Sequence, residues 1–230
     1  MGSASAPNQQ AAILLRNRWI VATTLGLAFS GCLAVPWVLS FPRNLIATAG
    51  SWLFVSALGG IVVGAAQWLI LRRALSNAWA WWLVSGGGWF LSALLALPFG
   101  NDTDMGLRSN GFPTFIVIGC IGGFLLGILQ WIVFWRRSRR GWIWLLASII
   151  GATVGAFVGY FLGIFVFLVT GMIAQMGEAA RLIHFSLVGA TMGVVAGGIY
   201  GLATALALRA VVPTAPTPKA EDQPGSGVAT

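Results

Sequence analysis

The sequence predicts an all-α integral membrane bundle of six helices, built from three pseudo-repeated helical hairpins. Three observations carry that expectation. Only 8% of the residues are charged while 58% are hydrophobic, a balance that belongs to polytopic membrane proteins and not to soluble domains. The charges divide the chain into uncharged stretches at 19–42, 44–71, 74–101, 109–135, 141–177 and 182–208, each longer than the roughly 20 residues a helix needs to cross a bilayer. Finally, GGIVVGAAQWLILRR from Gly59 returns as GGFLLGILQWIVFWRR from Gly122, and internal repetition of this kind sets the architecture.

The spans expected are Trp19 to Phe41, Leu45 to Leu71, Ala78 to Leu97, Pro113 to Trp135, Trp142 to Thr170 and Phe185 to Val212. Residues 1–12 and the tail 213–230 are small, polar and proline-bearing, with no apolar surface to offset the cost of ordering, so both are expected to be disordered around a domain at 13–212. The loop PFGNDTDMGLRSNG is rich in turn residues. The segment GMIAQMGEAARLIH places Gln175, Glu178 and Arg181 on one helical face and apolar residues on the other, which predicts a short helix lying in the interface. The first span begins after basic residues and contains FSGC ending at Cys32, a likeness to a lipoprotein cleavage box. Its apolar run continues to Phe41, longer than a signal's, so it is read as a retained helix.

The hairpin unit has glycines four apart, then Gln-Trp, then an arginine pair: Gly60, Gly64, Gln67, Trp68, Arg72 and Arg73 match Gly123, Gly127, Gln130, Trp131, Arg136 and Arg137. Near the C-terminus Gly197, Gly201 and Thr204 take the first places of a degenerate third unit. Its second half is the first span, because Trp19 precedes Gly26 by the spacing that separates Trp81 from Gly88 and Trp144 from Gly151. The three hairpins are thus circularly permuted, the sixth helix pairing with the first. At this GGxxxGxxQWxxLRR unit the chain resembles a group of uncharacterised polytopic membrane proteins of cyanobacteria and other bacteria. The resemblance implies a bacterial setting and no particular activity, and Thr204 departs from its pattern.

Orientation follows from the basic residues, which resist translocation when they flank a helix. Arg16, Arg18, Arg72, Arg73, Arg136, Arg137, Arg139, Arg140, Arg209 and Lys219 fall on one side, and Arg43, Arg108 and Arg181 on the other. Both termini are therefore expected in the cytoplasm, in a bacterial plasma membrane or a thylakoid membrane. The net charge of +8 is accounted for as a topology signal, with no need of nucleic acid. Arg72, Arg73, Arg136, Arg137, Arg139 and Arg140 are the candidates for anionic lipid headgroups, each worth about 1 kcal/mol near the surface. Trp19, Trp68, Trp79, Trp81, Trp82, Trp131, Trp135, Trp142 and Trp144 cluster at the same helix ends, where an amphipathic indole sits well.

No Asp, Glu, Lys, Arg or His falls inside any expected span. That argues against proton-coupled transport, and against hydrolysis by an aspartyl pair, a zinc site or a serine–histidine dyad, each of which needs a titratable base or a ligand set. No catalytic residue, cofactor or metal is assigned. His184, at the expected outer end of the sixth helix, is read as a solvated or capping residue in preference to a haem or chlorophyll ligand. Cys32 and Cys120 are read as packing residues.

Glycine recurs every fourth residue at Gly119, Gly123 and Gly127, at Gly151, Gly155, Gly159 and Gly163, and at Gly189, Gly193, Gly197 and Gly201, with Gly60 and Gly64 in the second span. Such stripes form smooth grooves for close helix packing; the alternative is a surface for a flat pigment or a pathway. Gln67, Gln130 and Thr204 lie on the same stripes near the basic ends, and the indole N–H groups of Trp81, Trp144 and Trp19 are candidate donors to them. They are expected to form a polar layer about a pseudo-threefold axis. Three functions are compatible with this sequence. The leading one is a non-enzymatic packing or accessory subunit that binds other membrane proteins, or itself, through glycine-rich faces. The others are a passive channel for a small neutral solute and a pigment- or lipid-binding subunit.

Overall fold

In a computed structural model, described for residues 6–40, 45–72, 78–97, 111–134, 140–172, 175 and 177–211, the chain is all-helical. The helices are α1 (Ala6–Ser40), α2 (Leu45–Leu71), α3 (Ala80–Ala96), α4 (Gly111–Phe134), α5 (Gly141–Thr170) and α6 (Glu178–Val211). Four of them, α2, α4, α5 and α6, are long and apolar enough to cross a membrane, while α3 is an apolar helix of 17 residues. Long uncharged runs favour this outcome because an α-helix satisfies all of its internal backbone groups without water.

Two boundaries differ from the sequence expectation by more than two residues. α1 starts at Ala6, so residues 6–12 continue the helix that was expected to begin at Trp19. The segment expected to lie as a separate interfacial helix instead supplies the first turns of α6, which begins at Glu178 and not at Phe185. The break between α5 and α6 is at Gly177, whose φ of +124° is strained for any residue with a Cβ. From Glu178 onward nothing interrupts the backbone ladder, and the Glu178–Arg181 ion pair at 3.3 Å lies within the new helix. The tail 213–230 and Arg73, Arg136, Arg137 and Arg139 lie outside the described residues.

Each helix packs on its neighbours in the chain, and α1 packs on α6, so the six form a closed ring. The glycines make that closeness possible. On α2, Gly60 lies against the Ser85 carbonyl and Trp89, and Gly64 against Trp82 and Ser85 of α3. On α4, Gly119 faces Ala152 and Thr153, Gly123 faces Ser148 and Ile149, and Gly127 faces Leu145 and Ser148 of α5. The glycines of α5 face α6: Gly151 meets Tyr200 and Ala203, Gly155 meets Ala196, and Gly159 and Gly163 meet Met192. Those of α6 turn the other way, onto α1: Gly189 meets Gly31, Gly193 meets Leu27 and Ala28, Gly197 meets Thr23 and Thr24, and Gly201 meets Ile20 and Thr23.

These stripes therefore face inward to a neighbouring helix, and the outward surface is made of bulky side chains such as Val21, Leu25, Phe29, Ile132, Ile150 and Leu206. A Cβ at Gly60 would stand 2.7 Å from the Ser85 carbonyl oxygen and one at Gly197 2.8 Å from the Thr24 Cα, backbone contacts that cannot yield without separating the helices. Gly197→Leu is expected to lower stability by about 1–3 kcal/mol or to prevent assembly, as overpacking does. Gly87→Ala, which meets nothing within 4 Å, should change it by less than about 0.5 kcal/mol. Thermal unfolding of the purified variants in detergent checks both.

Candidate functional site: a tryptophan triad and its polar layer

α1, α3 and α5 each bring one indole to the axis of the ring. Trp19, Trp81 and Trp144 are fully buried, with pairwise ring centroids 5.6–5.9 Å apart and interplanar angles of 72–78°. Every pair is thus edge-to-face, the arrangement the indole quadrupole favours, worth about 0.5–1.5 kcal/mol per pair beyond the area buried. Rings at this separation are in van der Waals contact, so no water-sized opening remains between them. Leu71, Ala78, Leu208 and Val211 pack around the triad and complete the apolar core at this end.

The tryptophans consequently do not all sit in one belt, and Trp68, Trp82 and Trp131 are half-buried. Trp79 and Trp142 project outward, as an interfacial belt requires, whereas Trp19, Trp81 and Trp144 belong to the interior and not to the belt. The distinction rests on helix phase: an indole two residues away around the helix points to the opposite side of the wall.

A buried indole N–H needs an acceptor, and α2, α4 and α6 supply one each. The Trp81 Nε1–H donates to Gln67 Oε1 at 2.9 Å, the Trp144 Nε1–H to Gln130 Oε1 at 3.2 Å, and the Trp19 Nε1–H to Thr204 Oγ1 at 3.0 Å. Each amide then uses its own N–H on the hydroxyl one turn along from the preceding tryptophan. Gln67 Nε2 donates to Thr23 Oγ1 at 2.9 Å, and Gln130 Nε2 to Ser85 Oγ at 3.0 Å. Gln67, Gln130, Thr204, Thr23, Ser85 and Ser148 are all buried.

The third position is built differently. Thr204 is too short to span to Ser148, the residue one turn along from Trp144, and its hydroxyl donates back to the Tyr200 carbonyl at 2.7 Å. Ser148 Oγ makes no hydrogen bond of good geometry. Tyr200, one turn before Thr204, extends its hydroxyl into the gap: it donates to Gln130 Oε1 at 3.3 Å and adjoins Ser148. The residues one turn before Gln67 and Gln130 are Val63 and Leu126. These meet Gly26 and Gly88 where Tyr200 meets Gly151. Tyr200 was not singled out from the sequence. The signal that could have found it is the alignment itself, which sets a phenol against two aliphatic residues beside the place where threonine replaces glutamine.

His184 is not solvated. It is buried 6 residues into α6, where it faces α5: its Nδ1 lies 2.7 Å from Thr170 Oγ1 and its ring packs on Phe167 and Phe185. The earlier start of α6 is the reason. Among the described residues there is no group of three or more His, Cys, Asp or Glu side chains that could hold a metal, and Cys32 and Cys120 are unpaired. Arg72 and Arg140 are exposed at the same end of the ring as the triad, and the Arg72 guanidinium lies 5.8 Å from the centre of the Trp68 ring.

Chemically, the layer holds amides, hydroxyls and indoles engaged with one another, the Ser148 hydroxyl excepted. No protein-family model, curated protein or solved structure matches this chain.

Two outcomes test the layer. Gln67→Leu with Gln130→Leu removes five hydrogen bonds averaging about 0.6 kcal/mol each and leaves two indole N–H groups, the Tyr200 hydroxyl and the Thr23 and Ser85 hydroxyls without these partners, so a loss of about 2 kcal/mol or more is expected. Unaltered thermal unfolding would rule out a structural role. Thr204→Gln alone should destabilise, because Tyr200 occupies the space the amide needs. Combined with Tyr200→Leu it should recover, giving a coupling of about 1 kcal/mol or more in a double-mutant cycle.

Proposed function

We propose that this chain is a non-enzymatic, sealed membrane bundle that acts as an accessory subunit, with all six helices spanning the bilayer. In this reading α2–α3, α4–α5 and α6–α1 are three equivalent hairpins about a pseudo-threefold axis, circularly permuted in the chain. Both termini lie in the cytoplasm of a bacterial cell, in the plasma membrane or a thylakoid membrane. The recurrence of one contact set supports the hairpin assignment: Gly60 and Gly64 on Ser85, Gly123 and Gly127 on Ser148, Gly197 and Gly201 on Thr23.

The observation that carries the functional reading is the closed tryptophan triad. A passive channel needs a wet path with polar groups left for the solute. Here the axis is closed by three indoles in mutual contact, and the amides beneath them are engaged with neighbouring side chains. Glycine grooves cannot be the docking surface, since neighbouring helices fill them. Association then rests on the bulky outward ridges and on the basic cytoplasmic face, which also attracts anionic headgroups.

Reconstituted protein should add no flux of water, glycerol or urea over protein-free liposomes, and mild-detergent purification from the native membrane should bring down a partner in near-stoichiometric amount. A saturable solute flux would replace this proposal with a facilitator. Recovery of the chain alone would remove the accessory role.

A further inference from the structure

α5 has 30 residues and α6, which packs on it, has 34. At 1.5 Å per residue these are about 45 and 51 Å, against a hydrocarbon core of about 30 Å. Measured from the exposed Trp142, such a core ends about 20 residues on, near Leu162.

The outward stripe of α5 does not stop there. Leu146, Ile150, Val154 and Phe161 are followed by Phe165, Leu168, Val169 and Met172, the last 79% exposed, and across the tip Ile183 of α6 is exposed as well. The polar boundary comes only afterwards, at Gln175 and the exposed Glu178–Arg181 pair. Nor is this end frayed, because the buried His184 ties α6 to Thr170 and Phe167 of α5 at that height.

We infer that the α5–α6 side of the ring is built to face the acyl chains of a locally thick bilayer, so that the protein thickens the membrane beside it or selects a thicker one. The inference rests on the membrane-spanning reading. Continuity of the apolar stripe up to a charged boundary commits the occupant to lipid chains, since a tip standing in water would present polar residues before that boundary. A mismatch of this sign is enough to sort a protein between bilayers.

The test uses the full chain carrying Cys32→Ala and Cys120→Ala, with a nitroxide at Val169→Cys or, as control, Val154→Cys. It is reconstituted in phosphatidylcholine bilayers of fourteen-, eighteen- and twenty-two-carbon monounsaturated chains. Expected are an oxygen-rich, nickel-poor environment for the label at 169 in the longest chains, a several-fold rise in nickel accessibility in the shortest, and a thermal midpoint that climbs with chain length. A label at 169 open to nickel in all three bilayers would overturn the inference. So would one shielded from both reagents with dipolar broadening, which would mean that a second copy covers it. An oxygen-rich signal in all three with a flat midpoint would mean that the bundle tilts, and would overturn the thickness preference. Nickel access at 154 would overturn the membrane-spanning reading itself.

Discussion

Three indole rings in mutual edge-to-face contact occupy the place where helices from every part of the chain converge, and the packing of the ring depends on that contact. Trp19, Trp81 and Trp144 come from α1, α3 and α5, and their N–H groups oblige α2, α4 and α6 to present an acceptor at the same height. An unsatisfied N–H buried here has no water to turn to, so the register of each helix against its neighbour is set to within one turn. Individually the hydrogen bonds are weak, at about 0.6 kcal/mol each. Their weight lies in what misregister would cost, since a slip of one residue would leave an indole, an amide and a hydroxyl all unpaired.

Close approach of the helix backbones is the companion constraint. In lipid no hydrophobic force draws apolar helices together, so dispersion between tightly apposed backbones has to do it, which requires residues without side chains at the contact. Gly123 against the Ser148 carbonyl and Gly155 against the Ala196 carbonyl are such contacts. The two constraints are geometrically linked: Ser85 and Ser148 receive the glycines of the preceding helix on their backbones and turn their hydroxyls to the polar layer. Because the glycine surfaces are used up in closing the ring, the exterior is left to large side chains.

Much of the site could be read from residue spacing. The pairing of Gln67 with Trp81 and of Gln130 with Trp144 follows from two helices joined by a short connection, with polar side chains on the glycine-bearing faces. The amide-to-hydroxyl links to Thr23 and Ser85 were not legible, because they join one hairpin to the preceding one and no local spacing encodes that contact. Tyr200 escaped for a related reason: a phenol in an apolar run reads as packing until the vacancy beside Thr204 and the Gln130 oxygen are seen together. His184 was misjudged because the start of α6 depended on one glycine turn at Gly177, which hydropathy does not mark.

By itself the sequence determined the helical class, the positions of the apolar segments, the faces carrying glycine and the lack of Asp, Glu, Lys, Arg and His in the interior of the expected spans. These are properties of composition and period, and a helix that must satisfy its own backbone leaves them little freedom. Only the tertiary structure decided which neighbour each glycine stripe meets, that α1 closes on α6, and that three of the tryptophans belong to the core and not to the interface. Those outcomes depend on the relative rotation of whole helices. A rotation of a few tens of degrees exchanges an inward indole for an outward one, and it is settled only when all the buried donors and acceptors are satisfied at once.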